Sequence, residues 1–176
     1  MENYRPLDQI RVNELTVIRH GFVRPYYTVT DGQFVYGRLS YTGWFRPKGN
    51  LESAHNSWQI TPKGLFSRVL LINTGDIDQI IGEVKPEAWS RKIKLEMTNG
   101  FDAFFTVKKL FSRTYTMMNA QHGEIFNIET KLWKMKVPFK ITFEPAVAKS
   151  ITDMPLLLLL GVYLVLMRQQ QAAAAH

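Results

Sequence analysis

Polar and apolar residues alternate with a period of two over much of the first 144 positions, the pattern of strands with one buried face. Lys92-Ile93-Lys94-Leu95-Glu96-Met97 sets Ile93, Leu95 and Met97 on one side and the charged residues on the other. Phe101, Ala103, Phe105 and Val107 form another such face, and Val137, Phe139, Ile141 and Phe143 a third. Just ahead of the third, Trp133 and Met135 alternate with Lys134 and Lys136. Turn residues punctuate these runs: Asn99-Gly100, Asp31-Gly32 and His122-Gly123 all tolerate the positive φ that tight hairpins require. The spacing predicts strands at 14–19, 26–30, 34–41, 57–61, 67–73, 79–85, 91–98, 101–108, 113–119, 124–130, 132–137 and 139–144. The stretch from Gly43 to Ser57, with Arg46-Pro47-Lys48-Gly49-Asn50, reads as an irregular loop. Residues 28–37 and 117–126 share one plan of strand, polar Gly-containing turn and second strand, as any two hairpins would.

From Met154 to Met167 the pattern changes completely. Met154-Pro155-Leu156-Leu157-Leu158-Leu159-Leu160-Gly161-Val162-Tyr163-Leu164-Val165-Leu166-Met167 has no polar face, so a helix built from it must be surrounded on all sides. The run covers roughly 20 Å as a helix, whereas a bilayer core is about 30 Å thick. It therefore reads as a core helix, with a C-terminal membrane anchor as the alternative. Asp153 suits the cap position and Pro155 the first turn, and Arg168-Gln169-Gln170-Gln171 ends the apolar stretch.

The two patterns meet in one architecture. About a dozen antiparallel strands each have one face to bury, and one helix needs burial all round. A sheet closed around the helix meets both needs and leaves no exposed strand edge. The expected fold class is mainly β: a closed antiparallel barrel of about twelve strands around a buried hydrophobic C-terminal α-helix. One domain spans 1–176, with barrel strands over 14–144, the central helix over 153–168 and a flexible tail over 169–176. The 45% hydrophobic content of the 176 residues suits a single sizeable core.

Charge adds a functional lead. Net charge is +7; Met1 to Ser90 holds 10 basic and 9 acidic residues, and Arg91 onward holds 12 and 6. A basic surface attracts anionic lipid, acidic protein or nucleic acid. Lys92 and Lys94 fall on the polar face of one strand, Lys134, Lys136 and Lys140 on that of a late segment, and Lys108, Lys109 and Arg113 near a turn. Were these strands adjacent, the lysines would form one positive stripe for anionic phospholipid or phosphoinositide-like head groups, or for an acidic protein partner. Trp44 and Phe45 beside Arg46 and Lys48 suit a membrane-interface loop. Nucleic-acid binding ranks lower, since no recognition motif accompanies the charge.

Catalytic motifs for phosphate loops, dinucleotide binding, zinc hydrolysis and serine nucleophiles are missing from the sequence, and it has no cysteine. No enzyme activity, cofactor or metal is expected. Asp76 and Asp78 around Ile77 supply too few oxygens for a calcium loop. His20, His55, His122 and His176 have no ligand spacing, and Trp44, Trp58, Trp89 and Trp133 read mainly as packing residues. Met1 to Pro6 has no apolar leader segment. The expected location is the cytoplasm, peripheral to a membrane.

The aromatic-Gly hairpins Phe34-Val35-Tyr36-Gly37 and Ile80-Ile81-Gly82-Glu83-Val84, followed by the ending Pro155 to Leu164, resemble the tubby C-terminal-like superfamily, in particular its LURP-one-related branch, with phospholipid scramblases as relatives. The likeness spans roughly 14–168 and rests on architecture. It implies a barrel, usually twelve-stranded, threaded by a hydrophobic C-terminal helix. The cysteine-rich tract and Pro-rich arm of scramblases have no counterpart here. The basic residues by which tubby domains hold phosphoinositide head groups do not map one by one onto this chain, so the resemblance implies fold more than activity.

Overall fold

A computed structural model describes residues 3–43, 48–65, 67–75, 79–87, 91–107, 113–131 and 135–174. Twelve antiparallel strands close into a barrel: β1 (Glu14–His20), β2 (Tyr26–Thr30), β3 (Val35–Thr42), β4 (Lys48–Ser53), β5 (Ser57–Pro62), β6 (Leu70–Thr74), β7 (Ile80–Pro86), β8 (Ile93–Met97), β9 (Asp102–Val107), β10 (Thr114–Asn119), β11 (Gly123–Thr130) and β12 (Phe139–Phe143). Each strand pairs with its chain neighbour, and β1 pairs with β12 to close the ring through Leu15↔Ile141 and Val17↔Phe139. A ring of this kind has no edge strand left to aggregate.

Alternation decides which residues face inward. Leu39, Leu51, Ile60, Ile72, Phe105, Met117, Ile128, Phe139 and Ile141 are buried on successive strands. They meet α2 (Met154–Ala174), whose residues Leu156 to Leu166 are buried on every side. The helix is 21 residues long, about 31 Å. Its last turns, from Gln169 to Ala174, extend past the barrel into solvent. By length and composition α2 would also cross a membrane, yet its apolar stretch lies against this chain's own strands.

The helix fits because glycines make room for it. A Cβ on Gly49 of β4 would stand 2.7 Å from the Tyr163 ring, and one on Gly37 of β3 would stand 3.0 Å from Leu159 Cδ1. The first approach is closer than real Cβ contacts allow and the second is tighter than most, so the small residues ease the packing of the helix.

β12 ends at the lower mouth of the barrel. There α1 (Pro145–Ser150), with Pro145 in its first turn, and the short 3₁₀ helix Leu7–Gln9 close the opening, burying Leu7, Ile10, Ala148 and Ile151. α2 then rises along the axis and leaves through the upper rim. The Asn99-Gly100 turn, with Gly100 at φ 87°, also lies at the lower mouth; its Asn99 amide donates to the Asp153 carboxylate at 3.2 Å. The carboxylate thus tethers the helix start to the β8–β9 turn, whereas the expected cap would have turned it onto helical N–H groups. The Asp153 backbone carbonyl accepts the Leu157 N–H at 3.0 Å.

Two segments differ from the sequence reading, and they offset each other in the strand count. β4 (Lys48–Ser53) lies inside the stretch 43–57 that reads as irregular. Its inward positions are Gly49 and Leu51, so the face beneath Tyr163 carries no apolar side chain to reveal it. Conversely, 132–137 alternates like a strand, but residues 135–137 form a turn and bend with Met135 exposed. Residues 132–134 lie outside the described ones. The hairpins at 28–37 and 117–126 both form, and each has a register shift near its turn, at Val29/Thr30 and Met117/Met118.

Candidate functional site

The lysines expected to form a stripe are dispersed by the strand order. β8, with Lys94, and β12, with Lys140, are separated by β9, β10 and β11. Lys94 and Lys140 therefore belong to different sectors of the wall. Each is also met by acid. Glu83↔Glu96 and Lys85↔Lys94 face each other directly across β7 and β8, which would set like charges opposite one another. Opposite-charge contacts along and across the strands resolve this: Lys85 reaches both Glu83 (3.1 Å) and Glu96, Lys94 reaches Glu96 (2.6 Å), and Lys63 reaches Glu83 (2.8 Å). Hydrogen bonds from Lys85 and then Lys94 hold the Glu96 carboxyl down at about 2, and those from Lys63 and Lys85 lower Glu83. Lys140 pairs with Glu14 at 2.6 Å. This part of the wall is a mosaic of paired charge.

The upper rim is different. Strand direction brings six connections to it, at 21–25, 43–47, 63–69, 87–92, 108–113 and 131–138. With the flanking strand residue Lys48 and the end of α2, they carry the described basic residues Arg24, Lys48, Lys63, Arg68, Arg91, Lys92, Arg113, Lys131, Lys136 and Arg168. The acid among the described residues of these connections is Glu87. At the lower mouth, with the flanking strand residues Glu14 and Asp102, the described acids outnumber the bases: Asp8, Glu14, Asp31, Asp102, Glu144 and Asp153 against Arg5, Arg11 and Lys149. The barrel is thus polarised along its axis.

The exposed apolar side chains follow the same division. Phe22, Val23, Leu65 and Met135, 69–92% exposed, all sit in upper-rim connections. The other large apolar residues in the open, Phe34, Ile80 and Met118, are 46% exposed or less and lie toward the lower mouth. There the Arg5 guanidinium covers the Phe34 ring at 4.0 Å. Isolated apolar residues on a surface need no explanation, but a set confined to one basic rim does.

Of the predicted residues, Lys92, Arg113, Lys136 and Lys48 come together on this rim, and Lys94 and Lys140 remain on the wall. Lys108, Lys109, Lys134, Trp44, Phe45 and Arg46 lie outside the described residues, as do Asp76, Asp78, Trp89 and Trp133. Phe22, Val23, Leu65 and Arg68 were not singled out by alternation, and Met135 was read as part of a strand. A sequence signal for them exists, however. Lys63-Gly64-Leu65-Phe66-Ser67-Arg68 recurs as Lys108-Lys109-Leu110-Phe111-Ser112-Arg113, and Gly21-Phe22-Val23-Arg24-Pro25 recurs as Gly43-Trp44-Phe45-Arg46-Pro47. All four segments join strands that end on the upper rim.

Two hollows open at this rim. One, of about 390 Å³, lies between the 21–25 loop, Tyr27, Tyr41 and Gln170. The other, of about 570 Å³, lies between Ser67 and Arg68, Pro86 and Lys92, and the emerging helix at Met167 and Arg168. Among the described residues no group of three His, Asp or Glu side chains is arranged to hold a metal. His122 sits in the β10–β11 turn, where its N–H donates to Asn119 Oδ1 at 2.7 Å. His20 Nε2 lies 2.9 Å from Thr28 Oγ1, and its ring stacks on Tyr26. Trp58 is buried on an inward face.

Comparison with family models, curated proteins and solved structures returns no match to this chain.

Proposed function

We propose that this protein is a non-enzymatic barrel that docks end-on to an anionic membrane surface through its upper rim. The observation that carries this reading is the confinement of Phe22, Val23, Leu65 and Met135 to the rim whose connections are almost wholly basic. Each element has a role at a bilayer interface. A cation near an anionic leaflet contributes about 1 kcal/mol, and apolar tips that enter the head-group layer gain about 25 cal/mol per Å² removed from water. The lower mouth lacks this combination, which gives the docking a direction.

The reading relocates lipid contact from the wall to the rim, because acids are interspersed with Lys94 and Lys140 on the wall and are scarce in the rim connections. Anchoring through Leu156 to Met167 is disfavoured on physical grounds: withdrawing that segment would empty the barrel and expose its inner face to water. The cytoplasmic, peripheral location belongs to the same proposal, since the anionic leaflet faces the cytoplasm. So does kinship with tubby C-terminal-like barrels; its support is a twelve-strand ring around a terminal apolar helix.

Flotation with vesicles of matched size, neutral or containing phosphatidylserine, tests the proposal. The protein should rise only with the anionic vesicles, and Phe22→Ser combined with Leu65→Ser should abolish this without altering the circular dichroism spectrum. Equal partitioning to both vesicle types, or full binding by the folded double variant, would end it. Capture by duplex DNA with a steep salt slope, and no flotation, would move the rim to nucleic acid.

A further inference from the structure

We propose that the hollow bounded by Arg68 and Leu70, by Pro86 and Lys92, and by Met167 to Gln171 at the end of α2 is a binding site for a phosphate-type oxyanion. The cavity of about 570 Å³ is of a size that ligand sites commonly have. Arg68, Lys92 and Arg168 line it, and no carboxylate does. These cations come from three separate elements: Arg68 from the β5–β6 connection, Lys92 from the approach to β8, and Arg168 from the helix. Leu70, Ile93 and Met167 supply an apolar lining behind them.

Arg168 is the anchor of the site. Its Nη2 donates to the backbone carbonyl of Arg91, which fixes the guanidinium at the mouth of the barrel. A guanidinium carries five N–H donors in a planar fork suited to oxyanions. Burial, with a further contribution from nearby Arg91, makes Arg168 a weaker base than a solvated arginine. A charge held in that condition gains from a counter-anion. Cations supplied by three separate elements around one hollow suit a doubly charged phosphate better than a single carboxylate.

This inference rests on the rim being the working end of the barrel, but it is measured without a membrane. Inorganic pyrophosphate is titrated into the full chain in vesicle-free buffer, with binding followed by calorimetry and amide shifts. Saturable binding that moves signals of Arg68 and Arg168 is expected. Arg68→Gln with Lys92→Gln, both at solvent-exposed positions, should weaken it at least about tenfold. No saturable binding, or unchanged affinity in the folded double variant, overturns the site whatever flotation shows. Flotation with phosphatidic acid against phosphatidylserine at equal surface charge then identifies the source. Preference for phosphatidic acid places the phosphate on a lipid; equal flotation with retained pyrophosphate binding places it on a soluble compound.

Discussion

Gly161 of α2 lies so close to Phe126 of β11 that a Cβ on the glycine would stand 2.9 Å from Phe126 Cε2. The Cδ1 of Ile128 would be 3.0 Å away. The helix touches the wall here with backbone instead of side chain, and the phenylalanine fills the space. Glycine costs a helix about 1 kcal/mol relative to alanine, so its presence at mid-helix calls for a packing reason, which this contact supplies.

Gly161→Val should therefore destabilise the fold by about 1–3 kcal/mol, the range for overpacking a core. Urea unfolding would measure it. Phe126→Leu should recover part of the loss in the double variant, giving a coupling energy between the two positions. Strict additivity would mean that the contact does not set the packing.

Leu159 is buried beside Gly37 of β3. Leu159→Asp sets a carboxylate in the dry interior with no partner, at a cost that exceeds the whole margin of a typical domain unless the acid is protonated. The expected result is loss of the β circular dichroism signal at pH 7. A folded, soluble variant would show that the helix is not needed to fill the barrel.

The two regions of positive charge should behave differently on vesicles. Lys94→Glu and Lys140→Glu alter wall residues already matched by Glu96 and Glu14, so flotation on anionic vesicles should stay within about twofold of wild type. Arg68→Glu with Lys136→Glu removes two rim cations and adds two anions. That pair should reduce binding by at least about tenfold at low salt. Equal effects from the two pairs would favour contact through the wall.

The β7–β8 charge lattice predicts an acid response of known sign. Hydrogen bonds from Lys85 and Lys94 lower the Glu96 carboxyl from 4.5 to about 2. A carboxyl depressed in the folded state stabilises it fully above the unfolded value and loses that contribution as pH falls. The window runs from about pH 4.5 down to about 2. Glu96→Gln should flatten the fall in urea midpoint across that window; a wild-type slope in the variant would assign the acid response to other carboxylates.

Strands with side chains on both faces were legible from alternation: Ile93-Lys94-Leu95-Glu96-Met97 becomes β8 and Phe139-Lys140-Ile141-Thr142-Phe143 becomes β12. β4 was not legible, because Gly49 marks an inward position by lacking a side chain. The alternation that runs on into Met135 and Lys136 resembled a strand, because a turn that mixes apolar and basic residues can copy the same period. The rim site was hidden for a related reason. Phe22, Leu65 and Met135 are 43 to 113 positions apart in the chain, and only the directions of the strands bring them to one end.

Local chemistry written along the chain was enough to specify a closed sheet and a fully buried helix, because an oily rod and one-sided strands each lack a stable state without the other. Strand order was the work of the tertiary structure. It separated β8 from β12, matched Lys94 and Lys140 with acids, and gathered a largely basic set of connections and exposed apolar tips at the mouth from which α2 emerges. Charge acts through distances in space, and closing the ring sets those distances.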